Sequence, residues 1–233
     1  MPQLDVSRIR AITLDLDDTL WPIWPTIARA DAKLHAWLKE HAPVTGDLSV
    51  LPGLARDIRQ KLLTERPDYA NDLAALRREC IRAMLVRAGD DPALAEPAFE
   101  VFFEERQRVE FFEDALPALE FLGSRYPVVA LSNGNADIHR VGIGRHFRAA
   151  FSSRDLGVAK PDIRMFQTGA DAAGVPMADV LHVGDDAHLA GVGALNAGMQ
   201  MAWVNRTSQT WHHAPHTPHV TVAELRSLCD LLA

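Results

Sequence analysis

The sequence predicts an α/β protein with a Rossmann-like core, in which a parallel sheet has helices on both faces, and with an inserted all-helical cap domain. Two observations carry this prediction. Strand-like and helix-like segments alternate after residue 110, as they do in parallel sheets. The first strand, residues 9–16, is separated from the next comparable one, residues 127–132, by a long interval with helical periodicity. We therefore place the core at residues 1–21 and 111–233 and the cap at residues 22–110.

The interval between these two strands is predicted to contain four helices. Apolar residues recur every three or four positions over residues 27–41, 54–62 and 73–85. Gly89 suits the C-terminal cap of the third helix, because glycine adopts the left-handed backbone that such caps use. The fourth helix is expected to open at Asp91-Pro92 and to carry its apolar stripe to about Val109.

Helices and strands alternate from residue 114 onward. The predicted helices are residues 114–125, 136–146, 163–173 and 187–197, the predicted strands are residues 127–132, 149–152, 180–184 and 199–204, and a short edge strand and a helix follow within residues 220–232. Right-handed crossovers bring the carboxyl ends of parallel strands to one edge of the sheet. Because open α/β sheets bind ligands at that edge, we expect the functional residues there.

The composition is that of an ordinary soluble globular protein, with 48% hydrophobic and 24% charged residues. A net charge of −7 disfavours nucleic acid and anionic membranes as partners. The two cysteines, Cys80 and Cys229, lie far apart, and the first residues lack a basic stretch followed by an apolar one. No apolar run approaches the roughly 20 residues that span a bilayer. We therefore expect a cytoplasmic protein.

Two carboxylates, Asp15 and Asp17, come at the end of the first strand. Side chains alternate along a strand, so these two should point the same way. Two negative charges at such a short distance repel each other, and a cation or a shared proton must offset the repulsion. The pair therefore predicts a site that can do chemistry, and the alternative is a solvated acidic turn.

Three other strand ends or loops carry matching polar groups. Ser132-Asn133-Gly134 offers a hydroxyl and backbone N–H groups suited to phosphate, although the same residues also form ordinary turns. Lys160 precedes Pro161, which keeps the lysine out of a helix interior. Asp185 and Asp186 form a second acidic pair, and two acidic clusters at neighbouring strand ends favour a hard divalent cation such as Mg²⁺.

At these positions the sequence resembles the haloacid dehalogenase superfamily of phosphohydrolases. The residues that resemble the four motifs of that superfamily are, in order, Asp15-Leu16-Asp17-Asp18-Thr19, Ser132, Lys160-Pro161 and Gly184-Asp185-Asp186. The helical insert resembles the C1 cap of the superfamily. More narrowly, the segments at residues 132–135, 181–186, 197–200 and 203 resemble a branch of bacterial phosphatases that act on FMN and 5-amino-6-(5-phosphoribitylamino)uracil.

The resemblance implies a role for each of these residues. Asp15 would attack phosphorus and form an aspartyl-phosphate, and Asp17 would act as general acid and then as general base. Ser132 and the Asn133 N–H would bind the phosphoryl oxygens, and Lys160 would neutralise charge. Mg²⁺ would be held by Asp15, the backbone carbonyl of Asp17, and Asp185. The partner would be a small phosphorylated metabolite, and the chain would act as a monomer or a homodimer.

One position departs from the superfamily pattern. A second acidic residue often follows the first aspartate of the fourth motif by five positions, and here that residue is Ala190. Asp186 is the candidate replacement, either as a metal ligand or by orienting a metal-bound water, and weakened metal binding is the alternative. Two aromatic residues after the first motif, Trp21 and Trp24, are expected to pack between cap and core or to stack on a flat ring of the substrate.

Three other functions remain open at this point. A 2-haloacid dehalogenase of the same fold uses an aspartate nucleophile but needs neither metal nor Asp17. A phosphonatase would need a cap lysine for a Schiff base, and Lys33, Lys39 and Lys61 are the lysines of the insert. A non-catalytic phospholigand-binding member of the fold would keep the site and lose turnover.

Overall fold

The computed structural model describes residues 3–233, and the chain divides into two compact units. The core unit runs up to Pro22 and resumes as Glu110–Ala233, whereas the cap unit is Ile23–Val109. The cap unit is therefore one residue shorter at each end than the range 22–110 that the sequence predicts. Across residues 3–233, no helix is both long enough and apolar enough to cross a membrane.

Within residues 23–109 the chain forms five α-helices: α1 (Ile23–His41), α2 (Pro43–Ser49), α3 (Leu54–Glu65), α4 (Leu73–Ala88) and α5 (Ala95–Arg106). The sequence predicts four helices and misses α2. Only seven residues long, α2 has too little length for a periodic apolar stripe, and short helices depend on tertiary contacts. The backbone N–H and the hydroxyl of Thr45 both donate to Asp90 Oδ2, at 2.9 and 2.7 Å.

The ends of α4 and α5 show how well capping can be predicted. Gly89 ends α4 with a left-handed φ of 77°, as predicted. The predicted helix from Asp91 to about Val109 is confirmed in its N-terminal cap, but its first turn is a 3-10 helix and it ends three residues earlier. Asp91 caps a short 3-10 turn, accepting from Ala93 N at 2.9 Å, and α5 begins only at Ala95. The helix ends at Arg106 because the next N–H, that of Gln107, bonds three residues back to Glu104 O.

The strands of the core unit are β1 (Ala11–Leu14), β2 (Val128–Ser132), β3 (Ala149–Ser152), β4 (Val180–Gly184), β5 (Gln200–Val204) and β6 (Val220–Val222). They form one parallel sheet in the order β3-β2-β1-β4-β5-β6. Every residue of β1, β2 and β4 is buried, as expected for a parallel sheet that is covered on both faces. The predicted fold class is confirmed, and β1 lies centrally, with β2 and β4 as its neighbours.

The helices of the core unit are α6 (Ala115–Gly123), α7 (Ile138–Val141), α8 (Ser153–Leu156), α9 (Ile163–Ala173), α10 (Gly193–Asn196) and α11 (Leu225–Leu232). The predicted helix 136–146 is wrong, because Gly142 ends α7 with a φ of 90° and a separate 3-10 turn follows. The predicted helix 187–197 begins as a π-helix, Ala187–Val192, before α10. The π-helix is identified by its hydrogen bond to the fifth preceding residue, in which Gly191 N donates to Asp186 O at 2.9 Å.

Candidate active site

Asp15 lies directly after β1 and forms a buried ion pair with Lys160. The distance between Asp15 Oδ2 and Lys160 Nζ is 2.6 Å, and the two residues are 9% and 3% exposed. The other oxygen, Oδ1, accepts from Leu16 N at 2.8 Å. Burial raises the pKa of Asp15, and the charge of Lys160 acts to lower it. The carboxylate predicted to be the nucleophile is thus held from both of its oxygens.

Asn133 positions the loop that carries Lys160. Its side-chain Nδ2 donates to Lys160 O at 3.0 Å, and its Oδ1 accepts from Lys160 N at 2.8 Å. The Lys160-Pro161 peptide bond is cis. The sequence predicts a role only for the Asn133 backbone N–H, so this side-chain contact was missed. A signal for it was absent from the sequence, because 27 residues separate the two positions.

Ser132 ends β2 and is buried. Its Oγ accepts from Gly134 N at 2.9 Å, so the hydroxyl forms the turn that the residue type also predicted. A hydroxyl that accepts one bond still has its own proton to donate. The turn and the phosphate-binding role are therefore compatible.

Asp185 follows β4, the strand that neighbours β1 on the side opposite β2. Thr19 Oγ1 donates to Asp185 Oδ1 at 3.0 Å, and Trp203 Nε1 donates to Asp185 O at 2.6 Å. Burial, and then the charge of Asp15, raise the pKa of Asp185 to about 7. The two acidic clusters predicted from the sequence are thus close enough for their charges to interact.

Asp17 is held by an aromatic side chain that the sequence did not link to it. Trp21 Nε1 donates to Asp17 Oδ1 at 2.7 Å, and Trp21 packs edge-on against Phe111 with ring centroids 5.6 Å apart. The backbone closes the same loop, because Asp18 N donates to Trp21 O at 2.8 Å. The sequence analysis predicted that Trp21 packs between cap and core or stacks on the substrate, and it did not predict this hydrogen bond. The sequence signal for this contact was the short separation of four residues between Asp17 and Trp21.

Asp186 and Ala190 lie around the start of the π-helix. One oxygen of Asp186 caps that helix, accepting from His188 N at 2.8 Å and Leu189 N at 2.6 Å. A role in metal binding would therefore have to use the other oxygen. Ala190 is fully buried, and its Cβ would lie 2.8 Å from a Cβ placed on Gly184. The close approach of Gly184 leaves little room for an acidic side chain at position 190.

These donors can be tested against the cations that proteins bind. Asp15 and Asp185 supply oxygen ligands from neighbouring strand ends, and the ammonium of Lys160 is paired with Asp15. In the part of the chain that the structure describes, no three or more His, Cys, Asp or Glu side chains form a metal-binding group. Zinc sites use three or four such ligands, whereas Mg²⁺ uses one or two carboxylates and keeps several waters. The donor set fits Mg²⁺.

The parallel sheet, the inserted helices and the buried carboxylate–lysine pair beside the end of β1 define a Rossmann-like α/β protein with a helical cap and a candidate carboxylate nucleophile. The sequence model of the haloacid dehalogenase-like hydrolases matches residues 9–198, and the chain belongs to that family. This membership confirms the resemblance found in the sequence.

Relatives with two different activities resemble this chain over nearly its whole length. It is 30% identical to the 5-amino-6-(5-phospho-D-ribitylamino)uracil phosphatase YigB of Escherichia coli, with 97% of this chain and 98% of that protein covered. It is 36% identical to the solved 2-haloacid dehalogenase of Pseudomonas syringae, with a TM-score of 0.90 and with 96% and 98% of the two chains covered. A phosphoserine phosphatase of Thermus thermophilus is 31% identical over 65% of this chain and 63% of its own length.

Proposed function

We propose that this protein is a Mg²⁺-dependent phosphomonoester hydrolase that acts through an aspartyl-phosphate on a small phosphorylated metabolite. The observation that carries the proposal is the second carboxylate, Asp17, which Trp21 orients two residues after the buried Asp15–Lys160 pair. A nucleophilic carboxylate alone suits both a phosphatase and a dehalogenase. An oriented acid beside the nucleophile can protonate the leaving group. An alkoxide leaving group needs this proton, whereas a halide does not.

The residues of the chain account for both halves of the reaction. Asp15 attacks phosphorus, so that a bond forms to its carboxylate oxygen and the bond to the ester oxygen breaks. Asp17 gives its proton to the leaving alcohol. It then takes a proton from the water that attacks the aspartyl-phosphate, and release of phosphate regenerates the Asp15 carboxylate. Lys160, together with the Ser132 hydroxyl and the Asn133 N–H, stabilises the charge on the phosphoryl oxygens.

Asp15, Asp185 and the backbone carbonyl of Asp17 would hold Mg²⁺. When bound, the cation offsets the repulsion between the carboxylate nucleophile and the phosphate. Asp186 would act, if at all, through the oxygen that does not cap the π-helix.

The stability of the metal-free protein is expected to depend on the ionisation of Asp185. Its pKa is about 7 in the folded protein and near 3.8 when unfolded, so between these values the folded state binds more protons. The contribution of Asp185 to the free energy of unfolding therefore falls as the pH rises from about 4 to about 7. Because Mg²⁺ needs the ionised carboxylate, its stabilising effect should be largest above pH 7.

Thermal unfolding with Mg²⁺ and with a chelator, across this pH range, measures that effect. We expect the Mg²⁺-induced rise in Tm to grow with pH in the parent and to be lost in Asp185→Asn. A rise in Tm that is independent of pH, or that persists in Asp185→Asn, would contradict the assignment of Asp185 as a ligand.

Replacing Trp21 by Phe is expected to lower turnover by about ten- to a hundredfold, the value of a hydrogen bond to a charged group. The substitution removes the donor to Asp17 and keeps an aromatic ring against Phe111. Alkyl phosphates should be affected more than p-nitrophenyl phosphate, whose leaving group needs little protonation. The matched control is Trp211→Phe, which removes an indole donor to His216 O away from Asp17. Equal losses for both esters, or in both variants, would reduce Trp21 to a packing role.

The substrate class that we propose is FMN or 5-amino-6-(5-phosphoribitylamino)uracil. The similarity to YigB over nearly the full length of both chains supports the ribitylaminouracil phosphate, and FMN rests on the resemblance of residues 132–135, 181–186, 197–200 and 203. A phosphate-release screen over nucleotides, FMN, sugar phosphates and the ribitylaminouracil phosphate, with and without Mg²⁺, tests it. Turnover of small artificial esters alone would reject these two substrates and leave the phosphatase activity standing.

A second candidate is a 2-haloacid dehalogenase, which the 36% identity to the Pseudomonas syringae protein favours. Asp17→Asn separates the two activities, because removing the acid impairs only the reaction that protonates its leaving group. We expect phosphate release to fall by about 10²-fold or more while the substrate still binds. Halide release from 2-haloacids that needs no Mg²⁺ and is unchanged in Asp17→Asn, with no phosphate release by the parent, would establish the dehalogenase instead.

A further inference from the structure

His182, in the middle of β4, is a buried titratable residue to which the proposed mechanism gives no role. It lies opposite Thr13 of β1, and its Nδ1 is 2.8 Å from Thr13 Oγ1. The ring of Phe166 packs edge-on against it, with centroids 5.1 Å apart and an interplanar angle of 84°. The imidazole is therefore fixed in orientation, with one of its two nitrogens engaged.

The other nitrogen, Nε2, faces the floor of the candidate active site. It lies 3.5 Å from the point where a Cβ on Gly184 would be, and the Cβ of Asp15 lies 3.4 Å from that same point. Because position 184 is a glycine, residue 184 places no side chain between the imidazole and the base of Asp15. Nε2 is buried without a hydrogen-bond partner among the described residues.

The ammonium of Lys160 is the complementary group. It is buried and ion-paired with Asp15, and among residues 3–233 no atom accepts a well-aligned hydrogen bond from its Nζ. An ammonium has three protons, so the contact with one carboxylate oxygen leaves donors to spare. A donor with protons to spare and an acceptor without a partner therefore both lie beside the Asp15 side chain.

The electrostatics determine which nitrogen of His182 carries the proton. Burial, and then the charge of Lys160, hold the pKa of His182 well below its usual value, so that the ring is neutral. A neutral imidazole has one N–H and one lone pair. The nearby positive charge favours the lone pair on Nε2 and the proton on Nδ1, which then donates to Thr13 Oγ1.

We propose that His182 is a positioning residue for Lys160, whose ammonium is linked to His182 Nε2 through one bridging water, since the two atoms make no direct hydrogen bond. The proposal rests on the proposed function, because it concerns the state in which Asp15 is phosphorylated. In the resting enzyme the Asp15 carboxylate already holds the ammonium. Once phosphorus is bonded to Asp15 that carboxylate charge is lost, and His182 remains as the anchor that keeps Lys160 beside the acyl phosphate. Loss of the anchor should slow hydrolysis of the phosphoenzyme more than its formation.

Two variants of His182 test this role. An Asn amide reaches the position of Nδ1 but not that of Nε2, whereas a Gln amide reaches Nε2. We expect His182→Asn to slow phosphoenzyme hydrolysis by about tenfold, with an unchanged rate of phosphoenzyme formation and an unchanged kcat/KM, and His182→Gln to restore most of the rate. The matched packing control is Phe166→Leu, which loosens the ring of His182 and leaves both of its nitrogens. Phe166→Leu should not change the ratio between the rate constants of phosphoenzyme formation and phosphoenzyme hydrolysis.

Rapid-quench kinetics with labelled p-nitrophenyl phosphate measure the two steps separately. Accumulation of labelled phosphoenzyme in His182→Asn alone supports the proposal. Equal slowing of both steps, or the same behaviour in Phe166→Leu, would show that His182 only packs. A parent enzyme that forms no phosphoenzyme would overturn the proposed function and this role of His182 together, whereas a normal parent with an unaffected His182→Asn would overturn this role alone.

Nitrogen NMR of the imidazole in the parent protein tests the proposal without relying on a folded variant. We expect the proton on Nδ1 and a bare Nε2 at neutral pH. The opposite tautomer, or a doubly protonated ring, would overturn the proposal because Nε2 could then accept nothing.

Discussion

Asp15→Asn is expected to abolish phosphate release, with a loss of at least about 10⁴-fold, because an amide does not replace a carboxylate nucleophile. The change is nearly isosteric, and it removes the charge that faces Lys160 at 2.6 Å. No label from a labelled phosphate ester should remain on the denatured variant. In the parent the label should be retained and then released by hydroxylamine, which cleaves acyl phosphates.

The matched control for this variant is Asp18→Asn, in the same loop. Asp18 has a left-handed φ of 57°, a conformation that Asn also tolerates, and it has no role in the proposed reaction. We expect it to keep most of the activity. If Asp15→Asn retained turnover, or if the label bound elsewhere, Asp15 would lose its role as nucleophile.

Lys160→Met is expected to damage both turnover and stability. Removal of one partner from a buried ion pair typically costs about 3–5 kcal/mol, because the other charge stays buried. Turnover should fall by about 10²–10³-fold, as when a donor to a developing charge is removed. Without Lys160, burial and the charge of Asp17 are opposed only by the hydrogen bond from Leu16 N, so the pKa of Asp15 rises further. Any residual activity should therefore increase with pH.

The same shift determines how the stability defect depends on pH. A carboxyl whose pKa is higher in the folded protein loses stabilising effect as the pH rises through that pKa. The gap in unfolding free energy between the parent and Lys160→Met should thus widen, in urea denaturation, as the pH rises above the ordinary pKa of an aspartate. The control is Lys39→Met, whose exposed pair with Asp47 is worth at most about 1 kcal/mol. Similar losses in both variants, or a gap that narrows with pH, would contradict a buried Asp15–Lys160 pair.

Because the chain is similar to both a phosphatase and a dehalogenase, Asp17 is the residue whose substitution best separates the two proposed reactions. Asp15 and Lys160 suit either reaction, because both need a nucleophilic carboxylate with its charge offset. Asp17 and its bond from Trp21 have a use only where a leaving group takes up a proton. The activity of Asp17→Asn therefore says more about function than either overall identity.

Candidate site residues at strand ends could be predicted from the sequence because strand ends are local features. A strand places its next residues at the edge of the sheet, and parallel strands bring those edges together. Asp15, Ser132 and Asp185 were found in this way. Lys160 was found because Pro161 excludes it from a helix interior, and the 2.6 Å contact with Asp15 brings it to the same place.

The supporting contacts of these residues could not be predicted in the same way. Trp21 binds Asp17, the Asn133 side chain binds the backbone of Lys160, and His182 Nδ1 lies against Thr13 Oγ1. The last two contacts join residues far apart in the chain, and all three depend on where a side chain points after the sheet has formed.

The sequence by itself determined the fold class, the helical insert and the residues at the strand ends, because periodicity, turn residues and charge act over a few neighbouring positions. Only the tertiary structure decided the register between strands, the break of a predicted helix at Gly142 and the π-helix after Asp186. It also decided which groups hold the carboxylates and the lysine. The physical reason is that hydrogen bonds and buried charges depend on distances between atoms that the chain brings together only when it folds.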